Sequence, residues 1–276
     1  MSATRIDGVV SDVIAADSRG LAYGDGVFRT LLAIDGVVQR FDAQYARLAA
    51  DAAALELDAP DAATLHADSQ AVLADSGLAQ AALKWMLVRA SGTRGYRSTT
   101  RTCMRIVSAA PAPVYPPALW RDGAVADIAP FTLAMQPRLA GLKHLNRLEL
   151  VLASRDWPDG IDERLLCDAE GFLVGGTRSN LFWLKQGALY TPALDRCGIR
   201  GMMRGEVLAL AARVGLAVHE VREPATTLHD ADEVFICNAL IGLWPLRRIG
   251  TQDYAAPGAW MQRLQAGLAH PHVEGR

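Results

Sequence analysis

From Gly26 the chain reads Val27-Phe28-Arg29-Thr30-Leu31-Leu32-Ala33-Ile34, a run apolar and β-branched enough to predict a strand. Asp35-Gly36 predicts a tight turn into a partner strand over 37–40. The period then changes. Tyr45, Leu48, Ala52 and Leu55 recur at helical spacing and predict a helix over 42–55. A second helix fits 61–74, with Gly77 to stop it. Upstream, 6–14 predicts a short extended stretch turned at Asp7-Gly8, and 18–26 a run of turns. Downstream, strands are predicted over 81–90 and 102–108. They flank a polar loop, 91–101, that carries Arg94, Arg97 and Arg101.

Pro111, Pro113, Pro116 and Pro117 interrupt both periods, so 109–118 is the expected linker between an N-terminal domain, 1–108, and a C-terminal domain, 119–276. Beyond it strands and helices alternate. Strands are predicted over 124–129, 164–168, 173–174, 181–184, 216–221 and 233–237. Helices are predicted from Leu145, where Leu145, Leu148 and Leu152 share a face, and over 202–214. The whole predicts an α/β protein of two domains with a ligand cleft between them.

Composition narrows the function classes. A 276-residue chain, 51% hydrophobic and 21% charged, can bury a sizeable core in one large or two smaller domains. A net charge of −2 does not favour nucleic acid or an anionic membrane as partner. No apolar run approaches the roughly 18 residues of a membrane span. Cys103, Cys167, Cys197 and Cys237 are far apart, as expected of reduced thiols in a cytoplasmic protein. The six histidines show no metal-ligand spacing beyond His270-Pro271-His272, expected to be a loose tail, so no metal site is expected.

Candidate chemistry begins at Gly141-Leu142-Lys143-His144-Leu145-Asn146-Arg147-Leu148. Lys143 is the only lysine between Lys84 and Lys185. A lysine packed at a helix start loses its charge readily, and its amine then attacks carbonyl carbons or shuttles protons; on the surface it would be ordinary. Arg47 sits beside the apolar face of the first helix, either as an amphipathic neighbour or as a phosphate clamp. Gly198-Ile199-Arg200-Gly201 opens the helix over 202–214, either as a plain turn or as an anion site at a helix start.

Together with Asp168-Ala169-Glu170-Gly171 through Gly175-Gly176-Thr177-Arg178-Ser179-Asn180-Leu181-Phe182 and Cys237-Asn238-Ala239-Leu240, these blocks resemble the fold type IV enzymes that use pyridoxal 5'-phosphate (PLP). That family includes branched-chain and D-amino acid aminotransferases and aminodeoxychorismate lyases. The Lys-His-Leu-Asn-Arg-Leu and Cys-Asn-Ala-Leu blocks are most similar to the lyases. The resemblance implies a small N-terminal and a larger C-terminal α/β domain. It also implies a homodimer and a small-molecule substrate, 4-amino-4-deoxychorismate, split to 4-aminobenzoate and pyruvate in folate biosynthesis.

On that resemblance Lys143 holds PLP as an aldimine and acts as the catalytic base, with the Thr30 hydroxyl assisting. Arg47, the main chain of Ile199 and Arg200, and Asn238 with Ala239 hold the cofactor phosphate. Some relatives have threonine in place of Ala239, and Gln44 stands where they have histidine. Arg94 and Tyr96 meet the substrate carboxylate, with Arg97 as a substitute, and Asn180 ties down a loop. Relatives usually carry glutamate at the place of Gly175, facing the pyridine nitrogen, and that loss should hurt a transaminase more than a lyase. Gly175→Glu is therefore expected to raise aminotransferase activity if the side chain fits. The alternatives are an aminotransferase and a PLP-binding protein without catalysis.

Overall fold

The computed structural model describes residues 3–90 and 95–274, which divide into two compact units. The first holds residues up to Val114 together with Lys143–Arg147; the second holds Tyr115–Leu142 and everything from Leu148 onward.

The first unit is a six-stranded antiparallel sheet. Its strands are β1 (Ala3–Ile6), β2 (Val9–Val10), β3 (Gly26–Ile34), β4 (Val37–Val38), β5 (Gln80–Arg89) and β6 (Cys103–Pro111), in the order β2-β1-β6-β5-β3-β4. A short helix α1 (Arg19–Tyr23) occupies the stretch predicted as turns, closed by Gly24 in the left-handed region. Helices α2 (Phe41–Ala54) and α3 (Ala62–Ser76) cover one face. Asp61 caps α3 by accepting from Thr64 N–H at 2.7 Å, and Gly77 ends it.

Strand periodicity decides what faces those helices. Val27, Leu31 and Ala33 of β3 and Leu83, Trp85 and Leu87 of β5 pack with Leu48, Ala52, Leu65 and Val72. The Trp85 indole N–H, buried in that layer, donates to Ser69 Oγ at 2.9 Å. Phe28 and Thr30 of β3 and Lys84 and Met86 of β5 alternate with this set. They share the opposite face, and Thr30 lies directly across from Lys84.

The second unit contains β7 (Ala124–Leu133), β8 (Glu163–Asp168), β9 (Leu173–Gly176), β10 (Asn180–Lys185), β11 (Ala188–Pro192), β12 (Val218–Val221), β13 (Glu233–Asn238), β14 (Gly242–Ile249) and β15 (Gln252–Asp253). They form a mixed sheet in the order β12-β11-β10-β13-β14-β7-β8-β9, with β15 on β14. Its helices are α4 (Ala118–Arg121), α5 (Leu148–Ala153), α6 (Met202–Arg213), α7 (Ala259–Leu268) and α8 (Pro271–Glu274). The core gathers Leu165, Leu181, Trp183, Ile236, Trp244 and Leu246. Among the described residues no helix is long and apolar enough to cross a membrane.

Two expectations are corrected. Leu145 does not begin a helix: His144 bridges Val27, Leu145 lies in a bend, and α5 starts only at Leu148. The Leu145 N–H is taken by the Gly26 carbonyl at 2.9 Å, so it has left the helical ladder before the apolar spacing can act. Likewise β6 runs through Ala109 and Ala110 to Pro111, pairing with Leu83, Ala82 and Ala81. Proline is tolerated there because it ends the strand. Strand β14 went unpredicted because Pro245 sits inside it, opposite Phe235.

Candidate active site

In the first unit, Lys143 is placed by backbone pairing. The outer edge of β3 meets β4 only at Ala33 and Ile34, which leaves its Gly26 end open. The segment around Lys143 fills that end. Phe28 N–H donates to the Lys143 carbonyl at 2.9 Å, and Val27 bridges His144. Alternation puts His144 on the side of Val27 and Lys143 on the side of Phe28 and Thr30. Accordingly the Lys143 Nζ lies 4.6 Å from the centre of the Phe28 ring, and the Lys84 Nζ lies 5.1 Å from the same ring.

A buried ion pair supports this edge from the helix side. Arg29, facing α2, pairs with Asp51, and both side chains are almost fully buried. The same Asp51 oxygen accepts the Lys143 N–H at 3.1 Å. Arg29 also donates to the Arg47 carbonyl at 3.4 Å, and Gln44 to the Thr30 carbonyl at 3.4 Å. Thus the Arg47 carbonyl and the Lys143 N–H are joined through the buried Arg29–Asp51 pair, while Thr30 is tied to α2 separately, through Gln44.

Its electrostatics are one-sided. Burial, then the guanidinium groups of Arg29 and Arg147, lower the Lys143 pKa from 10.5 to about 7. Lys84 acts the same way, and Asp51 opposes them all. Close to half of the amine is therefore neutral at pH 7, as a nucleophile or base requires. Burial and Arg147 lower His144 to about 4, so its imidazole is neutral.

In the second unit three loops are joined by two asparagine side chains. Asn180 donates to the Ile199 carbonyl at 2.7 Å and accepts the Gly201 N–H at 3.1 Å. A Cβ on residue 201 would collide with that asparagine oxygen, so a larger residue there would have to displace the Asn180 side chain. Asn238 donates to the Arg178 carbonyl at 3.2 Å, while its oxygen accepts the Leu240 and Ile241 N–H groups at 2.9 and 3.0 Å. Helix α6 begins at the Gly201 loop with no side-chain cap, leaving its first turn open to an anion. Arg200 N–H is already committed to the Gly141 carbonyl at 3.0 Å, which narrows the expected pair of phosphate donors to Ile199.

Gly175 is buried, and a Cβ on it would stand 2.9 Å from the Ser179 carbonyl. The buried carboxylate beside this turn, Glu163, is fully engaged. It accepts from Thr177 Oγ1 at 2.5 Å, Ser179 Oγ at 2.8 Å, Arg164 N–H at 3.0 Å and Thr177 N–H at 3.2 Å. Glu163 therefore replaces nothing at Gly175; it holds the turn.

Arg94 lies outside the described residues. Tyr96 is 89% exposed, its ring centre 5.4 Å from that of Tyr23. Its carbonyl and that of Gly95 accept from Arg19 at 3.1 and 2.8 Å. The tyrosine ring expected to meet substrate thus projects into solvent in the first unit.

Residues 26–249 match the family model for amino-transferase class IV. The chain belongs to the class IV aminotransferase family. Among class IV relatives, an aminodeoxychorismate lyase of Vibrio harveyi is 31% identical over 270 residues, covering 95% of this chain and 98% of that protein. The crystal structure of 4-amino-4-deoxychorismate lyase from Pseudomonas aeruginosa superposes with a TM-score of 0.90 at 37% identity, over 96% of this chain and 97% of that one. A branched-chain amino acid aminotransferase of T.th., solved with pyridoxamine 5'-phosphate, shares the fold, with a TM-score of 0.82 at 22% identity over 99% and 96%. The α/β architecture is therefore that of the fold type IV enzymes, a PLP-dependent family.

Sequence reading missed Arg29, Asp51 and Glu163. Asp51 carried a signal: it is an acid beside Ala52, on the apolar side of a helix, where an unpaired charge would be too costly.

Proposed function

We propose that this protein is a PLP-dependent lyase that releases pyruvate from 4-amino-4-deoxychorismate and leaves 4-aminobenzoate. The observation that carries the reading is the Lys143 amine, its pKa lowered to about 7 on the Phe28–Thr30 face. The residues present fit a phosphorylated aldehyde. A neutral amine suits its carbonyl carbon. In the first unit Arg47 is a cation of the kind a phosphate takes, and in the second the main chain at Ile199 and at Asn238–Ala239 offers donors of that kind.

When bound, PLP supplies an electron sink for the carbon that carries the substrate amine. Lys143 would hold the cofactor, and its neutral amine would take the proton from the carbon that carries the substrate amine. Thr30, on the same face, offers a hydroxyl for relaying it. The ring carbon–oxygen bond would then break, enolpyruvate would depart and take up a proton to become pyruvate, and aromatisation of the ring would drive the step. Arg94 is assigned the substrate carboxylate. The cofactor site and its cations fit a small anionic substrate, and we assign a second copy of this chain as partner. Val9, Val10 and Val13, all exposed in the first unit, are apolar surface of the kind a dimer covers. A single monomeric species in sedimentation at micromolar concentration would remove the dimer.

Gly175 favours lyase over aminotransferase. Without a carboxylate at that place the pyridine nitrogen lacks a partner that keeps it protonated, and a reaction driven by a departing group tolerates this better. Supplying the carboxylate is not straightforward, because Gly175→Glu must displace the Ser179 carbonyl. The variant is expected to lose about 1–3 kcal/mol of stability and to gain no aminotransferase activity. A stable variant that transaminates well would overturn this. The reading itself is tested by assaying the purified holoenzyme on aminodeoxychorismate, D-alanine and leucine. Efficient transamination with no lyase activity would replace it by the aminotransferase alternative.

A further inference from the structure

The tail segment His270-Pro271-His272 is not loose. His270 is 2% exposed, and Ala269 before it holds φ of +46°, a left-handed conformation that a non-glycine residue keeps only when its surroundings fix it. What fixes it is the loop between β13 and β14. His270 Nε2 lies 3.3 Å from the Ala239 carbonyl, and His270 Nδ1 accepts the His272 N–H at 3.4 Å. A carbonyl only accepts, so the proton of this imidazole is on Nε2. The His272 ring bonds the next carbonyl, that of Leu240. Trp120 Nε1 donates to the one after, Ile241, at 2.7 Å.

Three ring N–H groups therefore hold three consecutive carbonyls. The rings support one another, with His272 centred 5.1 Å from Trp120 and 5.4 Å from His270. His270 also packs on Gly242, where an added Cβ would stand 2.7 Å from the ring. Inside the turn, Asn238 takes the N–H groups of Leu240 and Ile241. All three carbonyls and two of the three N–H groups of Ala239-Leu240-Ile241 are thus committed, and the remaining main-chain donor is the Ala239 N–H. With alanine here no hydroxyl can assist, so the whole contribution of this residue to an anion depends on how that N–H is aimed.

We infer that His270 and His272 are positioning residues that aim the Ala239 N–H at the phosphate of the cofactor. The inference rests on the PLP reading above and deepens it. Each imidazole acts through a carbonyl of the loop.

The test compares the affinity of the full-length apoprotein for PLP and for pyridoxal, which lacks the phosphate, by equilibrium dialysis. His270→Phe and His272→Phe keep the rings and delete the donors. Together they should weaken PLP binding about tenfold and leave pyridoxal binding unchanged. His270→Gln restores an N–H donor and should recover PLP affinity relative to His270→Phe; that comparison also decides the matter if the double variant does not fold. Equal losses for both ligands, no loss for either, or no recovery with glutamine would each overturn the inference, because a merely structural role does not separate phosphate from the ring. Absence of PLP binding by the wild type would instead overturn the functional reading.

Discussion

Lys143→Ala is expected to yield a folded protein whose turnover falls by at least about a thousandfold, and whose bound cofactor lacks the visible absorbance of a lysine-linked aldehyde. The fold should survive because the lost group is a desolvated amine that its cationic neighbours Arg29, Arg147 and Lys84 disfavour in charged form. The reaction should not survive, because the other two lysines of the chain, Lys84 and Lys185, cannot occupy the Lys143 position on the β3 edge. Lys84 projects from β5, and Lys185 is paired with Asp230 in the second unit. The low amine pKa adds a pH signature. The rate at which wild-type apoprotein captures PLP should rise with pH through a midpoint at about 7 and level off once the amine is fully neutral. Retained turnover and colour in the alanine variant, or a midpoint near the ordinary value for lysine, would contradict this.

The second large effect is on stability. Asp51→Ala leaves Arg29 buried without its carboxylate, and breaking a buried pair from one side costs about 3–5 kcal/mol. It also removes the acceptor of the Lys143 N–H, so urea unfolding of the apoprotein should show a loss at the upper end of that range. Asp51→Asn keeps an acceptor and should lose less. Because Asp51 is the opposing charge that raises the Lys143 pKa, the asparagine variant should also move the midpoint of PLP capture to lower pH. A double replacement, Arg29→Met with Asp51→Leu, should recover most of the stability and move the midpoint back up, because Arg29 lowers the Lys143 pKa more than Asp51 raises it. A loss below about 1 kcal/mol in Asp51→Ala would show that the pair is solvated and comparable to surface ion pairs.

What the sequence revealed and what it hid follow from the range of the forces. Strand β3, the turn at Asp35-Gly36, helices α2 and α3 and helix α6 are written in local period and end signals, and their bounds fall within a few residues of the prediction. The Lys143 segment was misread because its leucine spacing is helical while its N–H and C=O groups belong to a strand more than a hundred residues away. Asp51, Arg29 and Glu163 went unnoticed for a related reason: a charge on a buried face is recognisable only once its partner is known. The tail histidines look like a loose end until the carbonyls of the Ala239–Ile241 loop are seen to need donors. Among the expected site residues, Lys143 and Arg47 are linked through Arg29 and Asp51 in the first unit, and Thr30 lies on the strand face that Lys143 shares. In the second, Asn180 binds the Ile199–Gly201 loop, and Asn238 shapes the loop that carries Ala239 and its neighbours Leu240 and Ile241.

The central claim is elimination rather than amino transfer, and product stoichiometry without a keto-acid acceptor tests it most directly. Holoenzyme mixed with excess 4-amino-4-deoxychorismate should release pyruvate and 4-aminobenzoate in equal amounts over many turnovers, with PLP unchanged at the end. A single burst equal to the enzyme concentration, with the cofactor left in its amine form, would contradict the account.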